Sequence, residues 1–406
     1  MRALRIALLA VVATRAWVPR TRATVDADGG AGTEDGRLAE VTAQLREVQF
    51  AYRRLQESVH EDAAANRRLG AAAVARAPIP RVRFDDLTDA VYLSHAASGV
   101  PLVVEGMPSA LDALTLEVLV RACGSRSVTL KERSAESEAW AGLVAVGTTT
   151  LAAFAARPDA PFYLHDAPLP ALCPEALAAV NFSAPRLFGG RQDLFPSLPT
   201  GRLHGAAASS WPSLFLGAAG TSSGLHSDVL ESHFWMRVLG GAKRYAVATR
   251  RDAAVLCPIK SAAASSERFR ASLLLDDGPP ACAAAAAAAI YEGVVRAGDF
   301  IFIPSGSPHE VLNLGAEAEG GGAPALAVSM NYCDAANAKH FARALRKSRH
   351  SGALGLLLAR DGGRASDAAA AEAAERRGEA AFLERLDALA AAFDEDPTAA
   401  LSPGAA

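Results

Sequence analysis

The sequence predicts a mainly β chain, with a sandwich or barrel between about residues 80 and 335 and helices at both ends. Three observations carry that expectation. Between 80 and 335, short runs of β-branched and large apolar residues are punctuated by Gly- and Pro-containing turns, the texture of an all-β domain. Before it, apolar residues recur with a period of 3.5, and after it alanine and glutamate dominate, which favours helix. Composition narrows the function classes. The 406 residues hold 41 Lys+Arg against 44 Asp+Glu, a net charge of −3 that gives no basic surface for nucleic acid. No apolar run reaches the roughly 18 residues of a membrane span. The five cysteines (Cys123, Cys173, Cys257, Cys282, Cys333) are scattered and odd in number, so neither a disulfide scaffold nor a CxxC zinc site is expected.

Taken in order, residues 1–24 carry Arg2, Arg5, Arg15, Arg20 and Arg22, no acid, and the apolar run Ile6–Ala13. That run has the length of a signal-peptide core. The alternative is a frayed, arginine-rich terminus. Thr14–Arg20 faintly resembles the cleavage region of bipartite plastid presequences. A targeting segment would lead to the secretory pathway and ER lumen or to a plastid; without one the chain would stay in cytoplasm or nucleus. On the secretory route, Asn181-Phe-Ser183 becomes a glycan acceptor. A Gly/Asp/Thr-rich stretch (25–36) reads as a flexible spacer. In 37–69, Leu38, Val41, Leu45, Val48, Tyr52, Leu55 and Val59 step by three and four and share one helix face. That face either pairs two copies in a coiled-coil homodimer or packs on its own domain.

The strands expected next are 100–105, 127–130, 161–164, 211–216, 233–239, 244–248, 300–303, 310–314 and 325–330. Helices are expected at Asp112–Cys123 and Thr149–Ala156. Residues 261–290, with alanine at every position from 283 to 289, read as a variable insertion between two strands. From 341 to 406 the tail is helical. Lys339, Arg343, Arg346, Lys347 and Arg349 give a basic, solvated face, and Phe382, Leu383, Leu386 and Leu389 one apolar stripe for packing or a partner.

Histidine is the commonest metal ligand, and two places show His-x-acid spacing: His60-Glu-Asp62 and His226-Ser-Asp228. Positions i and i+2 diverge on a helix and share a face on a strand. His60 lies in the heptad region, so its pair cannot converge on one ion. His226 and Asp228 sit in strand-like sequence and can. A third ligand is offered by Gly298-Asp-Phe-Ile-Phe-Ile-Pro-Ser-Gly-Ser-Pro-His309, where a turn delivers His309 to the start of a strand. Two histidines and a carboxylate make the open facial triad of non-haem Fe(II) oxygenases. Of the other histidines, His95, His204, His340 and His350 are expected to face solvent, His165 to lie in a loop, and His233 to face the pocket mouth near Trp235.

Leu216–Asp228 with Gly240-Gly-Ala-Lys-Arg-Tyr245 resembles the first half of a JmjC, cupin-like domain. Gly298–His309 with Val311–Leu314 and Ser329–Tyr332 resembles the second half. The resemblance covers roughly residues 80–340. It implies a double-stranded β-helix, or jelly-roll barrel, that binds Fe(II), 2-oxoglutarate and O2, as in the JmjC protein hydroxylases and demethylases. By resemblance, His226, Asp228 and His309 are the iron ligands. Lys243 pairs with the distal carboxylate of 2-oxoglutarate, Ser223 helps hold it, Tyr163 reaches the cosubstrate, and Asn331 lies near metal and cosubstrate. Two positions depart from the pattern. Ser307-Pro308 precedes His309 where many relatives have Trp, and Met236 or its neighbours stand where they have a further asparagine. The expected function is a dioxygenase that hydroxylates, or N-demethylates, a protein or peptide side chain. The alternatives are another metal-dependent cupin enzyme (isomerase or hydrolase) and an inert barrel acting through its helices.

Overall fold

The computed structural model describes residues 76–134, 137, 140–198, 210–259, 267–274, 282, 285, 287–315, 324–350 and 368–401. The expected targeting segment, spacer and heptad helix lie outside the described residues, as do His60 and its pair.

Eight strands frame the structure: β1 (Ser213–Gly217), β2 (Ser222–His226), β3 (His233–Gly240), β4 (Ala242–Ala248), β5 (Ile290–Arg296), β6 (Phe300–Ile303), β7 (His309–Gly315) and β8 (Ala325–Tyr332). They form two antiparallel arrays, β1-β8-β3-β6 and β2-β7-β4-β5, an order compatible with a jelly roll. Gly241, at φ +63°, turns β3 into β4. Added strands extend the first array to nine: Leu102–Glu105 and Arg81–Arg83 beyond β6, and Tyr163–Pro168, Ser127–Arg133 and Leu143–Thr150 beyond β1. The second array grows to seven, with Arg76–Pro78 beside β5, and Arg268–Phe269 then Pro258–Ile259 beyond β2.

The apolar run Phe300-Ile-Phe-Ile303 shows why these strands lack alternation in sequence. Ile301 and Ile303 face inward to a cluster with Phe234, Met236, Tyr245, Val247 and Val311 between the sheets. Phe300 and Phe302 face outward to Tyr92, Trp235, Phe188 and Tyr332. A strand buried on both faces is apolar throughout.

The outer face of the nine-stranded sheet is covered by helices. Asp89–Ser98 starts at Thr88, whose hydroxyl accepts from the Val91 N–H, and Leu116–Cys123 starts the same way at Thr115. Both bury residues in the outer cluster. Ala338–His350 and Ala368–Glu395 complete it, with Phe382, Leu383, Leu386 and Leu389 buried and Phe382 edge-on to Phe341 at 6.3 Å. The apolar tail stripe therefore packs on the chain itself. The basic helix is ion-paired: Arg343 to Glu231 at 2.7 Å, Arg346 to Asp387 at 2.5 Å.

The outer face of the seven-stranded sheet is covered by a segment within the stretch expected as an insertion. Phe269, Ala271 and Leu273 pack with Leu256 on Leu225, Ala246, Ala248 and Ile290. Glu310 of β7, fully buried, clamps this cover. Its carboxylate accepts from the N–H groups of Leu273 and Leu274, from the Ser272 hydroxyl and from Arg133 at 2.7 Å.

The cysteines correct the sequence expectation. Cys123 is bonded to Cys173 and Cys257 to Cys282, with Cα separations of 5.6 and 5.8 Å, and Cys333 is free and buried. Separations of 50 and 25 residues carry no local spacing signal; only the fold brings the partners together. Among the described residues, no helix is long and apolar enough to cross a membrane.

Candidate metal centre

His226 ends β2, Asp228 follows it in extended conformation, and His309 opens β7 directly opposite His226. One donor atom from each lies within 4.8 Å of the others, and all three side chains are buried. The tautomers follow from the neighbours. Nδ1 of His226 donates to the Gly224 carbonyl at 2.7 Å, and Nδ1 of His309 to that of Ser307 at 3.1 Å. A carbonyl only accepts, so Nδ1 carries a proton in each ring and Nε2 is the nitrogen that a metal would take. Burial lowers the pKa of His226, and the nearby His309 adds to this. Burial raises that of Asp228, opposed by His309 and an Asn331 hydrogen bond. Two imidazoles and a carboxylate in a buried setting suit a divalent ion with vacant positions, so the donor set fits iron.

The pairing of β2 with β7 contains an irregularity that shapes the site. His309 faces His226, but Val311 faces Ser223, so Gly224 and Leu225 together oppose the single residue Glu310. Such a bulge re-aims side chains. It puts Ser223, three residues from His226, on the same inward face, where Ser223 is buried, while Leu225 turns outward.

On the same inward face, Lys243 of β4 is 0% exposed and lies opposite Asn313 of β7. Its ammonium donates to Asn313 Oδ1 at 2.7 Å and to the Tyr163 hydroxyl at 3.1 Å. Asn313 is held in turn by donating to Thr221 Oγ1 at 2.8 Å. Gly217 closes the cradle: a Cβ there would lie 2.5 Å from both Asn313 Nδ2 and Thr221 Oγ1. Burial drops the Lys243 pKa from 10.5 to about 7 and raises that of Tyr163, which stays neutral. Among the described residues no carboxylate contacts the ammonium, so there the cradle presents a buried cationic donor to neutral partners.

Residues 213–318 match the family model described as JmjC domain, hydroxylase. Over those residues the chain is similar to a JmjC domain. No curated protein sequence matches the chain. The matched stretch begins with β1 and ends just past β7, so it includes Ser223, His226, Asp228, Lys243 and His309 and leaves out Tyr163 and Asn331. JmjC domains belong to the iron- and 2-oxoglutarate-dependent oxygenases, and the His-Asp-His cluster fits such an ion.

The remaining sequence candidates lie around the triad and the lysine. Asn331, near the end of β8, donates to Ser232 at 2.9 Å and sits beside Asp228. Tyr163 lies on the strand bordering β1, its ring 5.3 Å from the Lys243 ammonium. Met236 points inward and its sulfur accepts the Tyr245 hydroxyl at 2.9 Å. Ser307 donates to the Gly99 carbonyl at 3.1 Å, fixing the turn that delivers His309.

Several histidine expectations are corrected. His165 is in a strand, not a loop, and is buried with its ring 4.8 Å from Phe215 and 5.0 Å from Tyr163. His233 is not at a pocket mouth. Phe234 and Met236 point inward, so strand parity sends His233 and Trp235 to the outer face, where His233 meets Tyr332 and Asp334. His95 and His340 are half-buried: His95 bonds the Val100 carbonyl, and His340 lies 3.8 Å from Glu231. His204 and the side chain of His350 lie outside the described residues. Sequence reasoning missed Asn313, Thr221 and Gly217. The signal for Asn313 was an amide inside the apolar run Val311-Leu-Asn-Leu314, four residues after His309.

Proposed function

We propose that this JmjC domain holds Fe(II) through His226, Asp228 and His309, holds 2-oxoglutarate through Lys243, and hydroxylates a protein side chain. One observation supports it above the others. A buried ammonium that meets no carboxylate among the described residues lies in the same inter-sheet interior as a buried triad of two imidazoles and a carboxylate. When bound, the iron uses O2 and the oxidative decarboxylation of 2-oxoglutarate to succinate and CO2 to insert one oxygen atom into a substrate C–H bond. The chain's own residues bind, orient and exclude water. Lys243 neutralises the far carboxylate, Tyr163 and Asn313 fix the direction of its ammonium, and Ser223 adds a hydroxyl on the same face. The inward apolar side chains of the nine-stranded sheet keep that interior dry, which strengthens each of these contacts.

Hydroxylation at a carbon next to nitrogen would give N-demethylation by the same route, and the product mass tells them apart. A metal cupin acting without 2-oxoglutarate has no use for the Lys243 cradle, and an inert barrel has no use for either site.

The test uses purified chain with Fe(II), 2-oxoglutarate and a peptide pool. Succinate should form, and Asp228→Ala should abolish it by removing the only anionic donor of the triad. Metal retention without 2-oxoglutarate binding would point to the other cupin enzymes, and absence of both to a scaffold.

A further inference from the structure

We propose that Asn181 carries an N-linked glycan and that the chain matures in an oxidising, glycosylating lumen. Two independent observations meet in this inference, and neither depends on the iron reading.

The first is the cysteine pairing. Four of five cysteines are joined, one pair tying the helix Leu116–Cys123 to the residue before the helix Pro174–Ala179, the other closing the stretch that covers the seven-stranded sheet. Each bond forms when two thiols give up two protons and two electrons, here to the disulfide of a thiol–disulfide oxidoreductase. Such bonds persist in secretory compartments and are rare where glutathione keeps thiols reduced. The same pairing removes a rival use of these groups: Cys123 and Cys173 lie with Glu175 within metal-ligand reach, but bonded sulfurs are not thiolate ligands.

The second is the placement of Asn181-Phe-Ser183, eight residues past Cys173. Asn181 and Ser183 are exposed, whereas Phe182 between them is half-buried with its ring 6.2 Å from Trp235. Asn181 has φ +46°, a left-handed turn residue just beyond the helix Pro174–Ala179. The acceptor amide therefore stands out from a turn that Phe182 pins to the core, and a glycan there displaces no packed side chain. In the transfer, Asn181 Nδ2 bonds to the anomeric carbon of an oligosaccharide carried on a lipid pyrophosphate. The bond from that carbon to the pyrophosphate oxygen breaks, the lipid pyrophosphate leaves, and the amide proton passes to a base of the transferase. A glycosylated chain would act on proteins of the same lumen.

The test expresses the full chain in cells with a secretory pathway and recovers it with thiols alkylated under denaturing, non-reducing conditions. Peptide N-glycosidase should lower its mass by one glycan and leave Asp at position 181. Asn181→Gln and Ser183→Ala should each remove that shift, and Ser183→Thr should keep it. One thiol should label before reduction and five after it. Recovery of folded chain with Asn181 unmodified overturns the proposal, as does labelling of all five thiols without reduction.

Discussion

Lys243 gives the sharpest quantitative expectation, because its burial works against the fold while serving the site. Its side chain is wholly enclosed, and its pKa falls from 10.5 to about 7 with desolvation as the cause. At roughly 1.4 kcal/mol per pH unit, keeping that charge between the sheets costs about 5 kcal/mol. The sign follows from proton binding. Between pH 7 and 10.5 the unfolded chain holds the lysine proton and the folded chain does not, so stability contributed by this group rises with pH across that window. Below pH 7 the ammonium is charged in both states and the full cost is present. Lys243→Met removes it but leaves Asn313 Oδ1 without its donor, a loss of about 1–3 kcal/mol. The metal-free variant should then exceed wild type by about 2–4 kcal/mol at pH 6. The gain should vanish or reverse by pH 10, where the wild-type lysine is largely neutral.

Urea denaturation of the metal-free full chain at both pH values measures this. Calorimetry with 2-oxoglutarate and Mn(II), an ion that does not start turnover, measures the other side, where the variant should show no binding. A variant less stable than wild type by the same amount at pH 6 and pH 10 would refute the desolvation reasoning. Undiminished affinity for 2-oxoglutarate would remove Lys243 from the cosubstrate site.

Three further expectations follow from the same geometry. Wild-type affinity for 2-oxoglutarate should fall between pH 7 and 9, approaching tenfold per pH unit, because the ligand must recruit a proton to Lys243; proton uptake in buffers of different ionisation enthalpy checks it. Gly217→Ala places a Cβ 2.5 Å from Asn313 Nδ2 and Thr221 Oγ1, so KM for 2-oxoglutarate should rise about tenfold or more while metal affinity, read by titration, holds. Glu310→Gln weakens the clamp on 272–274 and should cost about 1–3 kcal/mol of stability in denaturant. Because Glu310 faces the opposite side of β7 from His309, metal affinity should hold; a tenfold loss would mean that the cover shapes the centre.

What the sequence showed of the fold depended on which faces are covered. The strands 300–303 and 325–330 were legible because both faces are buried, so Phe300–Ile303 is apolar throughout and the apolar run Ala325–Val328 nearly fills the other. Leu143–Thr150 was not, and of Ser222–His226 only the His226 end was, since the Ser, Thr and Gly content resembles turn sequence; Ser222–His226 keeps its pairing through a bulge. The triad candidates could be picked out because His226 and Asp228 sit two residues apart and a Gly/Pro-framed turn precedes His309. Asn313, Thr221 and Gly217 could not, because their part in the site exists only through contacts between strands. The disulfides failed for the same reason.

The division of labour between the two sheets accounts for how a buried cation and a buried triad coexist in so small an interior. The polar inward residues Ser223, His226, Lys243, His309 and Asn313 all come from β2, β4 and β7 of the seven-stranded sheet. The facing side chains of the nine-stranded sheet include Phe215, Phe234, Met236, Val238, Ile301, Ile303 and Ala327, joined by Tyr163, whose hydroxyl reaches Lys243, by Asn331 beside Asp228, and by His165 against Tyr163 and Phe215. A one-residue slip of β4 against β7 would turn Lys243 outward, away from Asn313, and carry Arg244 inward. The outward residues of these strands oppose that slip: Ala246, Ala248 and Leu225 fit an apolar cover, and Glu310 fits only where Arg133 and the 273–274 amides meet it. The clamp on the outside therefore fixes the register that aims the chemistry inward. Substitutions in the cover should disturb cosubstrate binding only when they release that register, as a collective loss and not residue by residue.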